Sequence, residues 1–544
     1  MKKRKYIFVV GGVMSGVGKG ISASSIAIIM QSKGFKVTAL KIDPYINIDA
    51  GTMNPTEHGE VFVLNDGEEC DQDMGNYERF LNTDLSRINY MTTGRVYQEV
   101  IRRERNLEYK GKNVEVVPDI PKEVIRRIQS AASNADADIT IVEIGGTVGE
   151  YQNIIFLEAA RMMKISSPKD VAFVMVSYLP MPSKVGEMKT KPTQYASRTL
   201  NGVGIQADVI IARSDVPLDN KRKEKIAVFC NVLPHHIISA PDAESIYDIP
   251  LNFEKDKLGD NLLKILSLPH RKTNLSKWNT FISKKKKAST EIKIAVVGKY
   301  FDSGDFVLSD VYISVIEAIK FSAYEKGVVP KLSFLNSKDF EKDKKKLSLL
   351  KDFDGIIVPG GFGESGIEGL IDTIKYARLN KIPYLGICYG MQLMVIEYAR
   401  HVLGWKDAHT AEINPKAHRL VIDIMPDQKQ KLKEGNFGGS MRLGTYPAIL
   451  QKGTIAHSAY KTDKIEERHR HRYEVNPHYI DELEKSGLVF SGKSPDGSLC
   501  EIAELPTSKH PFFVGVQFHP EFLARPLAPH KIFTALIDAI LKNK

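Results

Sequence analysis

Read from its amino terminus, the chain repeats one hydrophobic pattern: a short unbroken apolar run rich in branched residues, then a stretch of helical periodicity. In the first half the runs fall at 6–10, 37–43, 139–146, 171–179, 208–215 and 236–240. Unbroken runs of this kind suit strands covered on both faces. Between them lie amphipathic stretches such as 22–33, stopped by Gly34. The pattern predicts an α/β fold with a doubly wound parallel sheet, which binds ligands beyond the carboxyl ends of its strands. Over 268–290 the pattern breaks into "LPHRKTNLSKWNTFISKKKKAST" and restarts with "IKIAVVGKY". Further runs follow at 355–361, 383–390 and 512–522. The expected organisation is therefore a first domain over 1–267, an interdomain linker over 268–290, and a second α/β domain over 291–544.

Composition narrows the function classes. The chain has 544 residues, enough for several cores. Its 76 Lys and Arg against 66 Asp and Glu leave a net charge of +10, which suits nucleic acid or polyphosphate ligands. Basic and aromatic residues are not interleaved, and the runs 284–287 and 344–346 read as solvated linker and surface, so no nucleic-acid partner is expected. Four widely spaced cysteines without a CxxC pair favour a reducing compartment. The start "MKKRKYIFVVGG" has too short an apolar stretch for a leader and reads as a buried first strand. No run approaches membrane-spanning length, so a cytoplasmic protein with no membrane partner is expected.

Two stretches carry chemistry. "YLGICYGMQLMVIEYA" is an apolar strand, a sharp turn at Cys388 between Gly386 and Gly390, and a periodic helix: a nucleophile elbow. Such a turn exposes the sulfur, sets a helix N-terminus against the thiol and turns the Tyr389 N–H toward a developing oxyanion. "FHPE" supplies His519 and Glu521 as a base and its orienting carboxylate. "PGGFG", "GICYGMQ" and "QFHPEF", in this order, resemble a class I glutamine amidotransferase domain. The resemblance implies glutamine hydrolysis through a Cys388 thioester, with His519 moving protons, Glu521 orienting it, and Gly361 as second oxyanion donor. It also implies that Gln392, Glu412 and Arg472 hold the substrate; an anion for the ammonium and a cation for the carboxylate agree with this.

The other stretch is "GGVMSGVGKG", which departs from a Walker A loop: five residues separate Gly12 from Gly18, and Gly20 stands where Ser or Thr would hold Mg²⁺. With "KIDPYINIDAGTMNPTEHGEVFV", "EIGGTVGE", "KTKPTQ" and "ERHRHRYEVNP", it makes the chain similar to the CTP synthase family nearly end to end. That resemblance implies a first domain built as a P-loop-like sheet, holding ATP through Ser15, Gly16, Val17, Gly18, Lys19, Gly20 and Lys41. It makes Asp73 and Glu143 the Mg²⁺ carboxylates, in keeping with that ion's taste for hard oxygens. It sets UTP, and CTP as a feedback effector, against Lys189, Lys191, Gln194, Lys225, Glu150 and Gln152, and His58 beside an ammonia passage. It further implies GTP as an activator and assembly into homotetramers and filaments.

Several positions differ from the family pattern. Asn113, Glu115, Asp119, Glu150 and Gln152 replace its usual residues around the pyrimidine nucleotide, where new carboxylates would repel a triphosphate unless they turn away or a cation intervenes. Ser365 replaces an arginine near the GTP region, removing an anion-binding fork. Two further readings stay open on the sequence: an amidoligase acting on another acceptor, and a non-catalytic nucleotide-sensing or filament-forming homologue.

Overall fold

The computed structural model describes residues 3–544 except 13, 185, 300–301, 304–305, 308, 426–427 and 429–438. It divides into two compact units, Met1–Asp49 with Asp73–Ile282, and Ala50–Gln72 with Ser283–Lys544.

The first unit is built on seven parallel strands, ordered Tyr90–Thr92, Val37–Asp43, Ile139–Ile144, Lys5–Gly11, Val171–Tyr178, Val209–Ser214 and Ile237–Pro241. Every residue of Lys5–Gly11 is buried, which is why the first strand reads as an unbroken apolar run. Phe8 stacks on Phe173 of the neighbouring strand at 5.4 Å between ring centres. Helix Lys19–Ser32 follows the first strand through the glycine loop and starts at Gly18 in the left-handed conformation (φ 85°). The segment 268–290 carries a helix, Ser276–Lys287. Its Trp278 is buried beside Phe80, with ring centres 5.2 Å apart, and donates Nε1–H to the Tyr247 carbonyl at 2.8 Å. One aromatic cluster thus gives this polar stretch a fixed place.

The second unit carries a nine-stranded sheet. Val328–Asn336, Thr290–Gly298, Gly355–Val358, Tyr384–Ile387 and Phe513–Val516 run parallel. Cys500–Glu504, Val489–Lys493, Arg442–Leu450 and Lys464–His471 extend it antiparallel. The hairpin Val61–Val63 and Glu69–Asp71 packs here too: Phe62 meets Phe522 edge-on at 5.0 Å, and the buried Arg468 donates to the Val63 carbonyl at 3.1 Å. Among the described residues no helix is long and apolar enough to cross a membrane.

Candidate functional sites

In the second unit, strand Tyr384–Ile387 ends on Cys388, whose φ of 49° and ψ of −99° turn the chain directly into helix Tyr389–His401. A non-glycine residue at positive φ is costly and persists only where its surroundings enforce it. Here the Cys388 N–H is tied to the Val516 carbonyl at 2.7 Å and its carbonyl takes the Gln392 N–H at 3.1 Å. A Cβ on Gly390 would lie 2.2 Å from the Val358 carbonyl oxygen, so the elbow closes only over glycine.

His519 and Glu521 leave strand Phe513–Val516 on the same side and line one cavity with Cys388, Gly361, Glu60 and Arg470. His519 Nδ1 and Glu521 Oε1 are 2.7 Å apart, and Phe522 stacks on the imidazole at 5.0 Å. Nε2 of His519 is buried without a partner of hydrogen-bond geometry among the described residues, and Cys388 lines the same cavity. Burial alone would lower the imidazole pKa, but the Glu521 carboxylate and Cys388 outweigh it and raise the group to about 10. Cys388 and the His519–Glu521 pair, which the sequence sets far apart, therefore line one cavity.

The loop opposite is pinned on every side. The Gly363 N–H donates to Glu412 Oε1 at 2.7 Å, and the Gly363 carbonyl accepts from Tyr389 Oη at 3.0 Å. A Cβ on Gly360 would meet His519 Cε1 at 2.8 Å. Lys299, buried over the Tyr389 ring at 4.6 Å, donates to the Phe362 carbonyl at 3.2 Å and to that of Gly363. Burial outweighs the pull of Glu412 and takes the Lys299 ammonium down to about 8. Burial likewise raises the Glu412 carboxyl. Arg472 donates to Ser440 Oγ at 2.9 Å and Gln428 Oε1 at 3.2 Å, and Gln392 Nε2 donates to the Tyr473 carbonyl at 2.9 Å.

Lys299, Glu60, Arg470 and Gln517 join these residues in the structure without a local signal in the sequence, apart from the lysine that ends the apolar run "IKIAVVGK". Glu60 accepts from the Ser314 N–H at 3.1 Å, and Glu69 accepts from Arg470 at 2.8 Å. His58, exposed at the end of helix Pro55–His58, lies two residues before Glu60.

In the first unit the glycine loop, with Ser15, Gly16 and Val17 preceding Gly18, lies at the carboxyl end of the first strand. A Cβ on Gly20 would sit 2.0 Å from Asp73 Oδ1, so a carboxylate occupies the space a Walker hydroxyl side chain would need. Lys41 Nζ bridges Asp73 and Glu143, the latter at 2.9 Å, and Tyr77 donates its hydroxyl to Glu143. Burial opposes ionisation of Asp73, but Lys41 prevails and holds this carboxyl below its ordinary range; at Glu143 burial prevails and raises it. Burial also lowers the Lys19 ammonium against the attraction of Glu143. Two carboxylates thus converge on one cation beside the loop, a hard-oxygen pair of the kind Mg²⁺ takes together with water and phosphate oxygens.

The remaining predicted positions are more dispersed. Gln194 is buried and donates to Thr190 Oγ1 at 3.0 Å, Lys189 pairs with Glu187 at 2.7 Å, and Lys191 lies 5.6 Å from the Phe229 ring centre. Lys225, Gln152 and Ser365 are exposed. Of the unusual carboxylates, Glu150 accepts from both the Thr147 N–H (2.9 Å) and its hydroxyl (2.6 Å). Asp119 accepts from the Glu115 N–H at 3.0 Å and faces Lys122 at 3.6 Å.

Residues 5–268 match the family model for the CTP synthase N-terminus, and residues 307–539 that for class-I glutamine amidotransferases. The CTP synthase of Pyrococcus abyssi is 49% identical over 542 residues, covering 99% of this chain and 98% of its own. That of Clostridium kluyveri is 48% identical over 541 residues, with 99% of each covered. That of Listeria innocua is 44% identical over 541 residues, covering 99% of this chain and all of its own.

Proposed function

The chain belongs to the CTP synthase family, glutamine-hydrolysing ligases that aminate UTP with ATP as cosubstrate, and from that premise we propose which of its residues carry each step. The other two readings, a different acceptor and a non-catalytic homologue, have no support from its relatives. The observation that carries the assignment is Cys388 at positive φ, lining one cavity with a buried His519–Glu521 pair.

Cys388 attacks the side-chain amide carbon of glutamine, and the N–H groups of Gly361 and Tyr389 receive the oxyanion. The proton of the Cys388 thiol rests on His519, whose pKa of about 10 holds it there, and His519 delivers it to the departing nitrogen, so that ammonia leaves and a thioester remains. His519, now neutral, takes a proton from water that cleaves the thioester, releasing glutamate and restoring Cys388 with the proton back on His519. Glu521 keeps the imidazole oriented. Glu412 holds the substrate ammonium and Arg472 its carboxylate, with Gln392 as a third contact to the substrate.

In the first unit, the N–H groups of 15–20, at the start of helix Lys19–Ser32, and Lys19 hold the ATP phosphates. Asp73 and Glu143, now gathered on Lys41, fit a Mg²⁺ ion. When bound, that ion neutralises phosphate charge during transfer. The γ-phosphoryl group passes to the uracil O4, giving ADP. Ammonia attacks C4, loses a proton and displaces phosphate, giving CTP. Lys189, Lys191, Gln194 and Lys225 face UTP. Glu150 and Asp119, each engaged by neighbouring donors, are compatible with an anion there. His58 borders the ammonia passage, GTP activates from near Ser365, and CTP inhibits. The protein works in the cytoplasm as a homotetramer able to form filaments.

The test measures CTP formed from UTP, ATP and Mg²⁺, first with ammonium chloride and then with glutamine, with and without GTP. CTP from both nitrogen sources is expected. No CTP from ammonium with folded protein overturns the assignment of the first unit.

A further inference from the structure

Strand Lys464–His471 buries two imidazoles that this chemistry does not use. His469 and His471 are each 1% exposed. A backbone carbonyl only accepts, so the 3.2 Å contact of His471 Nδ1 with the Tyr473 oxygen puts a proton on Nδ1. Burial pushes both imidazoles far below their ordinary range. The neighbouring histidines, His519 among them, and Arg442 push the same way. A neutral His471 then has a lone pair on Nε2, 2.9 Å from His469 Nδ1, which must carry a proton of its own. His469 Nε2 is left bare, 3.7 Å from Glu501 Oε2, while Glu501 Oε1 accepts from Arg442 at 2.8 Å. Glu474, which also takes Arg442 at 3.2 Å, lies 3.4 Å from His471 Nδ1. Tyr446 meets His469 edge-on.

The chain of hydrogen bonds ends where glutamine is held. The Tyr473 carbonyl also accepts from Gln392, whose amide donates further to Gln517 Oε1 at 3.3 Å; Gln517 Nε2 in turn lies 3.6 Å from the Cys388 sulfur. Between His471 and Tyr473 the backbone bends at Arg472. One carbonyl therefore braces both the bend that presents Arg472 and the side chain of Gln392.

We propose that His469 and His471 are positioning residues for glutamine binding: two neutral Nδ1–H imidazoles in a one-way chain that fixes the Tyr473 carbonyl. The proposal rests on the glutaminase assignment above. Full-length protein with ¹⁵N-labelled histidine, its signals assigned with His469→Gln and His471→Asn, should show both rings neutral and protonated on Nδ1 across the range where a free imidazole titrates. An imidazolium or an Nε2–H form at either position overturns the proposal, and this arm needs no catalysis. In kinetics, His471→Leu should raise the KM for glutamine about tenfold, the scale of one lost buried hydrogen bond, and leave ammonia-driven turnover unchanged. His471→Asn, whose amide N–H falls near the former Nδ1–H, should recover most of the loss. Leu behaving as wild type, or Asn failing as Leu does, overturns it. Wild-type protein that releases no glutamate from glutamine would instead refute the glutaminase assignment, a result distinct from either.

Discussion

Gly20→Ala probes the candidate metal site through space rather than charge. The added Cβ would lie 2.0 Å from Asp73 Oδ1 and 2.5 Å from Cγ, whereas real Cβ contacts stay beyond 3.0 Å. Gly20 is buried in the first turn of its helix, so the carboxylate is the group that withdraws, and its bond to Lys41 breaks. A charge-assisted hydrogen bond of this kind is worth about 1.5–3 kcal/mol, which at about 1.4 kcal/mol per decade is about 10- to 150-fold. Ammonia-driven CTP formation should fall by that factor, and the Mg²⁺ concentration giving half the maximal rate should rise. Gly20→Ser, which restores the Walker hydroxyl in name, should do no better, because its Cβ meets the same obstacle. Turnover and Mg²⁺ requirement both unchanged in folded Gly20→Ala would refute the claim that Asp73 must occupy this space.

Cys388→Ala should abolish glutamine-driven turnover and spare ammonia-driven turnover, while Lys19→Ala should abolish both; assays with the two nitrogen sources separate them, and loss of both in Cys388→Ala would refute the division of labour. Glu521→Gln removes the charge that overcomes burial at His519, so the imidazole pKa should fall from about 10, toward and past its ordinary value, as read by NMR titration of that ring. The sign is fixed: a pKa near 10 keeps His519 protonated throughout the neutral range, and a pKa unmoved by the substitution would mean that Cys388 alone sets it. Ser365→Arg restores an anion-binding fork, and the GTP concentration needed for half-activation should drop; an unchanged value would separate this position from the nucleotide.

The strands flanked by covering elements on both faces were legible in the sequence. Lys5–Gly11 and Val171–Tyr178 are buried along nearly their whole length, and an unbroken apolar run so short fits little else than a strand covered on both sides. The elbow was legible for a related reason, since strand, Gly-x-Cys-x-Gly and helix occur together at 384–401. The antiparallel half of the second sheet was not. Lys464–His471, "KIEERHRH", reads as solvated, yet Glu467, Arg468, His469 and His471 are all buried. Their partners, Asn65 for Arg468 and Tyr460 for Glu467, are set by tertiary contact and leave no trace in local periodicity. The same holds for Ala50–Gln72, which precedes most of the first unit in sequence but packs with the second unit through Phe62 and Glu69.

The glycines of the two sites show why motif glycines carry more information than flexibility arguments allow. At Gly20 and Gly360, side-chain atoms of Asp73 and His519 fill the space where a Cβ would stand. Each glycine therefore records the position of a functional group distant in sequence, 53 residues away in the first case and 159 in the second. In a Walker loop the residue after the lysine brings its oxygen from within the helix; here the helix gives up its side chain and Asp73 brings an oxygen to the same space. The position that looked defective in the sequence is thus what lets the carboxylate approach. An oxygen supplied from outside the helix can bond Lys41 as well, so the loop and the Lys41–Glu143 pair are joined through a residue neither contains. That junction predicts non-additivity: adding Asp73→Asn to Gly20→Ala should cost little beyond the first substitution, because both remove the same contact. A double variant whose losses simply multiply would show that Gly20 and Asp73 act independently.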